Sequence, residues 1–238
     1  MRRLLVCDLG VVPYAEALEL QRAVARARIS RAFSDDLLLL VEHPPVITTG
    51  RSSKREHLLA SAERLASRGV ELHDVERGGD VTFHGPGQLV GYPVIDLKQH
   101  KQDLHWYLRQ VEEALIRALA VFHLHGERSA GFTGVWTGGR KIASIGVHAR
   151  DWVVWHGFAL NISTDLSWFD LIVPCGIDQV QMTSIADELR RADTADKSME
   201  LLDARVRSAV VAAFESVFGL EAFPIDTAAI QSVLAQMA

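Results

Sequence analysis

Two side chains in the middle of the sequence could do covalent chemistry together. Lys141 stands in the run Gly138-Gly139-Arg140-Lys141-Ile142-Ala143-Ser144-Ile145-Gly146, and Cys175 follows a proline in Pro174-Cys175-Gly176. A thiol attacks only as thiolate, which forms from an ordinary pKa of about 8.5 when a base or a cation lies close by. A lysine can be either partner, taking the thiol proton or pairing with the thiolate as ammonium, and two such groups titrate as a pair. Taken alone, Cys175 reads better as a small, inert, buried hydrophobe than as a nucleophile. The glycines around both residues point further, because glycine inside strands costs stability unless backbone must approach something closely or adopt a positive φ. Contact requires strands over 140–150 and 152–162 to run back past each other and deliver the Pro174-Cys175-Gly176 loop beside Lys141.

A second cluster of reactive types lies upstream. Arg77-Gly78-Gly79 and His84-Gly85-Pro86-Gly87-Gln88 frame an arginine and a histidine with glycine. Backbone N–H groups in such a loop can converge on an oxyanion, a carboxylate or a phosphate. The same Gly-Gly also makes an ordinary hairpin. His84 can orient a substrate or shuttle a proton, or serve only to pack beside a turn.

The elements that must hold these residues are legible from periodicity. A strand is expected near 3–9, then a helix from Pro13 to about 31 on Tyr14, Ala17, Leu18, Val24 and Ala25. Residues 37–42 are a continuous apolar run between Asp35-Asp36 and Pro44-Pro45, which reads as a buried strand. Residues 46–54 read as a surface loop and 55–67 as a short helix. Residues 70–75 and 80–83 read as two strands joined through Arg77-Gly78-Gly79, followed by a strand over 89–97. Asp103 is a candidate N-cap for a long helix striped by Leu104, Leu108, Val111, Leu115, Leu119 and Phe122. Residues 132–137, 140–150 and 152–162 predict an antiparallel meander with turns at Gly138-Gly139 and Asp151. Trp152 and Trp155, three apart in one strand, should face opposite ways. A helix near 183–190, a link through Lys197 and a last helix lined by Met199, Leu202, Val206, Val210, Phe214 and Val217 complete the chain.

Composition limits the classes of function. With 238 residues and 48% hydrophobic content the chain can bury a substantial core as a single domain. A net charge of −5 argues against a nucleic-acid binder. Residues 1–68 nevertheless hold 11 Lys+Arg against 8 Asp+Glu, a mildly basic third that could meet an acidic protein or be merely solvated. Asp8 and Gly10 end the first apolar run too early for a signal-peptide core, and no run is long enough to cross a membrane. A soluble, cytoplasmic protein is expected. Two cysteines, Cys7 and Cys175, do not make a disulfide scaffold, and no histidine or cysteine cluster has zinc spacing, so neither a structural metal nor a cofactor is expected.

The stretch Arg77-Gly78-Gly79-Asp80-Val81-Thr82-Phe83-His84-Gly85-Pro86-Gly87-Gln88-Leu89-Val90-Gly91-Tyr92 is long and specific. With Glu42-His43-Pro44-Pro45, Lys141-Ile142-Ala143-Ser144-Ile145-Gly146, His156-Gly157-Phe158-Ala159-Leu160-Asn161 and Pro174-Cys175-Gly176-Ile177, it resembles the lipoyl(octanoyl) transferases over about 37–190. Val46-Ile47-Thr48-Thr49-Gly50 departs from that family's pattern, which has an aromatic residue after the valine and a leucine before the glycine. The resemblance implies an α+β fold like the catalytic domain of biotin and lipoate protein ligases, a mixed, largely antiparallel sheet flanked by helices. It also implies transfer of an octanoyl group from octanoyl-acyl carrier protein to a lysine of lipoyl domains, those of 2-oxoacid dehydrogenases and the glycine cleavage H protein. Cys175 would be the acyl-accepting nucleophile and Lys141 its base. Arg77, Gly78, Gly79, Asp80, Val81, Thr82, Phe83 and His84, with Ser144, Ile145, Gly146, Gly157, Phe158 and Ala159, would bind the acyl group. An eight-carbon chain buried at about 0.8 kcal/mol per methylene offers roughly 5–6 kcal/mol, so carrier-protein contacts must add the rest. Arg51, Lys54, Arg55 and Arg140 are candidates for those contacts. An ATP-dependent lipoate or biotin ligase, or a non-catalytic module that binds the carrier, are the competing readings.

Overall fold

The computed structural model describes residues 2–192 and 201–235. Its frame follows from the apolar run at 37–41. Leu37 and Leu39 enter one core cluster and Leu38 and Leu40 another, so successive side chains of β2 (Asp36–Glu42) are buried on both faces of a sheet. That sheet has seven strands in the order β10 (Leu220–Pro224), β1 (Arg2–Val11), β2, β6 (Gln88–Asp96), β9 (Val153–Asn161), β8 (Arg140–Arg150) and β7 (Gly134–Thr137). The β10–β1 and β1–β2 pairs are parallel and the remaining four antiparallel, as expected for a mixed, largely antiparallel sheet.

Helices close both faces. On one side α3 (Leu104–Ala120) and α5 (Leu202–Phe218) bury Val111, Leu115, Val206 and Phe214. On the other, α1 (Tyr14–Ile29) and α6 (Thr227–Ala235) contribute Tyr14, Leu18, Val24 and Ile230. Asp103 caps α3 as expected, its carboxylate accepting the Trp106 N–H at 3.0 Å. α4 (Ile185–Arg191) starts at Ser184, whose hydroxyl accepts the Asp187 N–H. Among the described residues no helix is long and apolar enough to cross a membrane.

A second, three-stranded sheet departs from the sequence-based expectation. The first residues of the presumed 46–54 loop form β3 (Val46–Thr49), which lies between β4 (Glu71–Asp74) and β5 (Val81–His84). The 70–75 and 80–83 runs are therefore no hairpin: β3 pairs parallel with β4 and antiparallel with β5. Val46, Ile47 and Thr48 are buried, which is what β-branched residues gain from a central strand. The helix expected over 55–67 splits into a 3₁₀ turn at Arg55–His57 and α2 (Ala62–Ser67), because the Ser61 hydroxyl caps a new start by accepting from the Arg64 N–H.

Both meander turns hold. Gly138 and Gly139 have φ of 52° and 76°, and Asp151 and Trp152 have φ of 51° and 66°, the double positive φ that suits the twist of a tight two-residue hairpin. Trp152 thus sits in the turn, 41% exposed, instead of in the strand, and Trp155 is buried with its Nε1–H donated to Glu76. β10 and α6 had no counterpart in the sequence reading, and Lys197 and Met199 lie outside the described residues.

Candidate active site

Lys141 and Cys175 meet because β8 outruns its neighbour. The last β9 rung is Ala143 with Leu160, and beyond it the Lys141 N–H donates to the Gln181 carbonyl while the Lys141 carbonyl accepts from the Thr183 N–H. The segment at 181–183 follows the cysteine turn closely in sequence, so this pairing closes most of the distance. The turn itself, Pro174–Gly176, is tied down by the Val173 N–H donating to the His57 carbonyl at 2.8 Å. Cys175 has φ 58° and ψ 17°, a left-handed conformation that costs a non-glycine residue about 1–2 kcal/mol. Such strain persists where surrounding structure enforces it, and it aims the half-buried thiol at β8.

Lys141 Nζ donates to Cys175 Sγ at 3.1 Å, and Ser144 Oγ lies 3.5 Å from the same sulfur. Residues three apart on a regular strand face opposite ways. Here the β7–β8 register shifts, Val135 pairing with Ala143 and Trp136 with Lys141, so that β8 carries one extra residue and both side chains reach the sulfur. Lys141 is 1% exposed, with its ammonium 4.9 Å from the centre of the Trp136 ring. Burial pushes the Cys175 thiol up, but the Lys141 charge, the Ser144 hydrogen bond, the Lys141 hydrogen bond and the Arg77 charge together hold it below its ordinary value.

Arg77 is a second buried cation near the sulfur. Its Nη2 donates to the Thr48 carbonyl at 2.8 Å and the Thr48 hydroxyl at 2.9 Å, and Nη1 donates to the Gly78 carbonyl. The threonine at the segment that departs from the family pattern thus anchors this arginine. Burial pulls the Arg77 pKa down from its ordinary value, partly countered by the nearby ionisable groups, Tyr14 first and then Cys175. The Gly78 N–H is used by the Val147 carbonyl at 2.8 Å, so the glycine loop docks onto β8 and does not offer that donor to an anion.

These groups surround a cavity of about 200 Å³. A cavity of roughly 150 Å³ holds a six-carbon ring, so this one has room for a short aliphatic chain. Arg77, Gly79, Asp80, Thr82, His84, Ser144, Ile145, Gly146, Gly157, Phe158 and Ala159 all line it with Lys141 and Cys175. Gly78, Val81 and Phe83 do not. On β5, alternation sends Thr82 and His84 to the cavity and Val81 and Phe83 into the core of the small sheet, where Phe83 stacks on Trp168. Residues that the sequence reading did not assign to the site also line it: Tyr14, Val90, Tyr92, Phe132, His156 and Ile177. Tyr92 and His156 stood inside the quoted motifs; nothing local marked Tyr14, which α1 delivers from far away in sequence.

The inner wall is made of neutral rings. His84 stacks on Tyr14 at 5.9 Å and contacts Gln88 through Nδ1 at 2.9 Å. Burial, reinforced by His43, pushes its pKa down to about 3, so His84 is an uncharged wall at neutral pH. Burial likewise lowers the His156 pKa. Among the described residues no group of three or more His, Cys, Asp or Glu side chains is placed to hold a metal ion.

Gly157 marks how closely the sheet strands approach at this wall. A Cβ there would sit 2.1 Å from the Gly91 carbonyl oxygen and 2.6 Å from the Pro93 ring. Gly157→Ala is expected to cost about 1–3 kcal/mol through overpacking. Thermal unfolding should show it as a drop in Tm of about 2–4 °C per kcal/mol.

A family model described as the lipoyl protein ligase A/B catalytic domain matches residues 13–207. The chain belongs to that family. An octanoyltransferase of Gloeobacter violaceus is 52% identical over 177 residues, covering 74% of this chain and 78% of the relative. An octanoyltransferase of Nostoc sp. is 46% identical, covering 91% of this chain and 93% of its own. Among solved structures, the bi-partite lipoate protein ligase of Thermoplasma acidophilum superposes with a TM-score of 0.72 at 16% identity, covering 100% of this chain and 92% of that one. That likeness establishes the family's fold here.

Proposed function

We propose that this chain is an acyltransferase, working in the cytoplasm as a single catalytic domain. It would move an octanoyl group from octanoyl-acyl carrier protein to a lysine of lipoyl domains, including those of 2-oxoacid dehydrogenases and the glycine cleavage H protein. The octanoyltransferase names of its relatives support the reaction. The observation that carries the residue assignment is the 3.1 Å contact from Lys141 Nζ to Cys175 Sγ at a cavity sized for a short acyl chain.

In the first step the Cys175 thiolate attacks the donor's thioester carbonyl, the new C–S bond forms, and the carrier's sulfur leaves with a proton from Lys141. One thioester replaces another, so the step is nearly balanced. In the second step a lysine amine attacks the Cys175 thioester, an amide forms, and Cys175 leaves as thiolate beside a Lys141 that has taken up a proton. Thioester to amide is downhill, so the cycle needs no ATP. Octanoyl transfer from carrier protein to lipoyl domain should proceed in nucleotide-free buffer; an absolute requirement for ATP would overturn this reading in favour of a ligase.

Donor docking is the second part. Of the four basic candidates, Arg140 is held in a bidentate pair with Glu188 at 2.8 and 2.7 Å, which leaves it poorly placed to receive a partner. Arg51 and Arg55 are exposed beside the turn that supports Cys175, and Lys54 faces Glu56 only at 3.8 Å. Rim charges act chiefly on encounter rate and salt sensitivity. Arg51→Glu with Arg55→Glu should raise KM for octanoyl carrier protein several-fold and flatten its dependence on ionic strength, leaving kcat near wild type. An unchanged salt dependence would move the docking face elsewhere.

A further inference from the structure

Resting on the two-step reading above, the second step poses a problem that Lys141 does not solve alone. The acceptor lysine arrives from outside as an ammonium, with an ordinary pKa near 10.4, and it must lose a proton before it can attack. Lys141 is 1% exposed and already bonded to the Cys175 sulfur. A different pair lies against the residue that follows Cys175. His57 Nδ1 donates to Asp80 Oδ2 at 2.6 Å, and their side chains are only 13% and 10% exposed. Asp80 lines the cavity, and its other oxygen accepts the Val81 N–H at 2.7 Å, which fixes the carboxylate.

The pair lies directly against the residue after the nucleophile. A Cβ on Gly176 would meet Asp80 Oδ2 at 2.4 Å and the His57 ring at 2.9 Å, so glycine there lets the turn and the pair touch. The His57 carbonyl accepts the Val173 N–H, which locks the two segments together. Because Asp80 accepts the hydrogen bond from Nδ1–H, the tautomer is set and Nε2 carries a lone pair. Among the described residues nothing hydrogen-bonds to that Nε2. An imidazole oriented by a carboxylate, with its second nitrogen free beside the nucleophile's turn, is the arrangement of a general base.

We propose that His57, oriented by Asp80, is the base that deprotonates the acceptor lysine in the transfer step. His57 Nε2 takes one proton from the incoming ammonium and releases it to solvent. The freed amine attacks the octanoyl carbonyl, the second nitrogen proton passes to Lys141, and the C–S bond to Cys175 breaks to leave thiolate and ammonium. The two bases thus divide the work across the turn, Lys141 serving the sulfur and His57 the amine. The elements packed against His57 bring Asp80 and the turn that carries Cys175, while Lys54, Arg55 and Glu56 flank it on its own turn.

Single-turnover measurements on the full chain separate the steps. His57→Asn should slow transfer from preformed octanoyl-enzyme to a lipoyl domain about 100-fold more than it slows acylation by octanoyl carrier protein. Imidazole should restore part of the transfer lost in His57→Ala. Equal slowing of both steps, unchanged transfer, or slowed transfer with no imidazole rescue would overturn the assignment. Failure of wild-type Cys175 to take an acyl group would instead overturn the acyltransferase reading beneath it.

Discussion

Cys175→Ala should lose octanoyl transfer altogether, and Cys175→Ser should fall by on the order of 10⁴ or more in kcat, as removing a nucleophile does elsewhere. Serine occupies the same turn but presents a hydroxyl, which is a far weaker nucleophile without a strong base dedicated to it. The environment is tuned for sulfur: two buried cations and the Ser144 hydroxyl hold the thiol pKa down against burial. Folding should be little affected, because Cys175 is only half buried and belongs to none of the core clusters. Steady-state rates with matched unfolding curves check both halves, and full activity in Cys175→Ala would exclude the covalent mechanism.

Lys141 gives the second large effect. Lys141→Met removes the charge and the hydrogen bond at the sulfur while burial remains, so the thiol pKa should rise and thiolate at neutral pH should shrink. Iodoacetamide alkylation of Cys175 followed against pH reads this directly: the wild-type curve should lie at lower pH than the Lys141→Met curve, and coincident curves would dissolve the pair. Lys141→Arg separates charge from proton transfer, because a guanidinium keeps the charge but does not deprotonate in proteins. If lysine moves protons in both steps, the arginine enzyme should lose about 10²–10⁴-fold in each even with a low thiol pKa. Near-normal acylation by Lys141→Arg would reduce Lys141 to a fixed charge.

Much of this site was legible in the sequence because strands and turns encode it locally. The two hairpins that form β7, β8 and β9 were marked by Gly138-Gly139 and Asp151, and they carry Lys141 back toward the cysteine turn. Continuous burial of β2 was written in its leucines. What stayed hidden depends on phase or on distant chain. The extra residue in β8 that puts Ser144 on the sulfur side leaves no signature, since period-2 counting assigns it the opposite face. Alternation on β5 divided a motif that looked like one binding segment, sending Phe83 to the core and His84 to the cavity. β3 was missed because its four residues sit between a proline pair and a polar loop, and only β4 and β5 on either side make it a strand. His57 is 23 residues from Asp80 in sequence, and the fold alone makes them a pair.

The central claim is an acyl group on one particular sulfur, and intact mass spectrometry after incubation with octanoyl-acyl carrier protein in the absence of ATP tests it most directly. The account predicts a gain of one octanoyl group, mapped to Cys175 by peptide analysis, removed by hydroxylamine as a thioester is, and absent from Cys175→Ala. Cys7 should stay unmodified, because it is 1% exposed in the core beneath α1 and burial raises its thiol pKa. An unmodified Cys175 in a preparation that still transfers octanoate, or an adduct on Cys7, would contradict it.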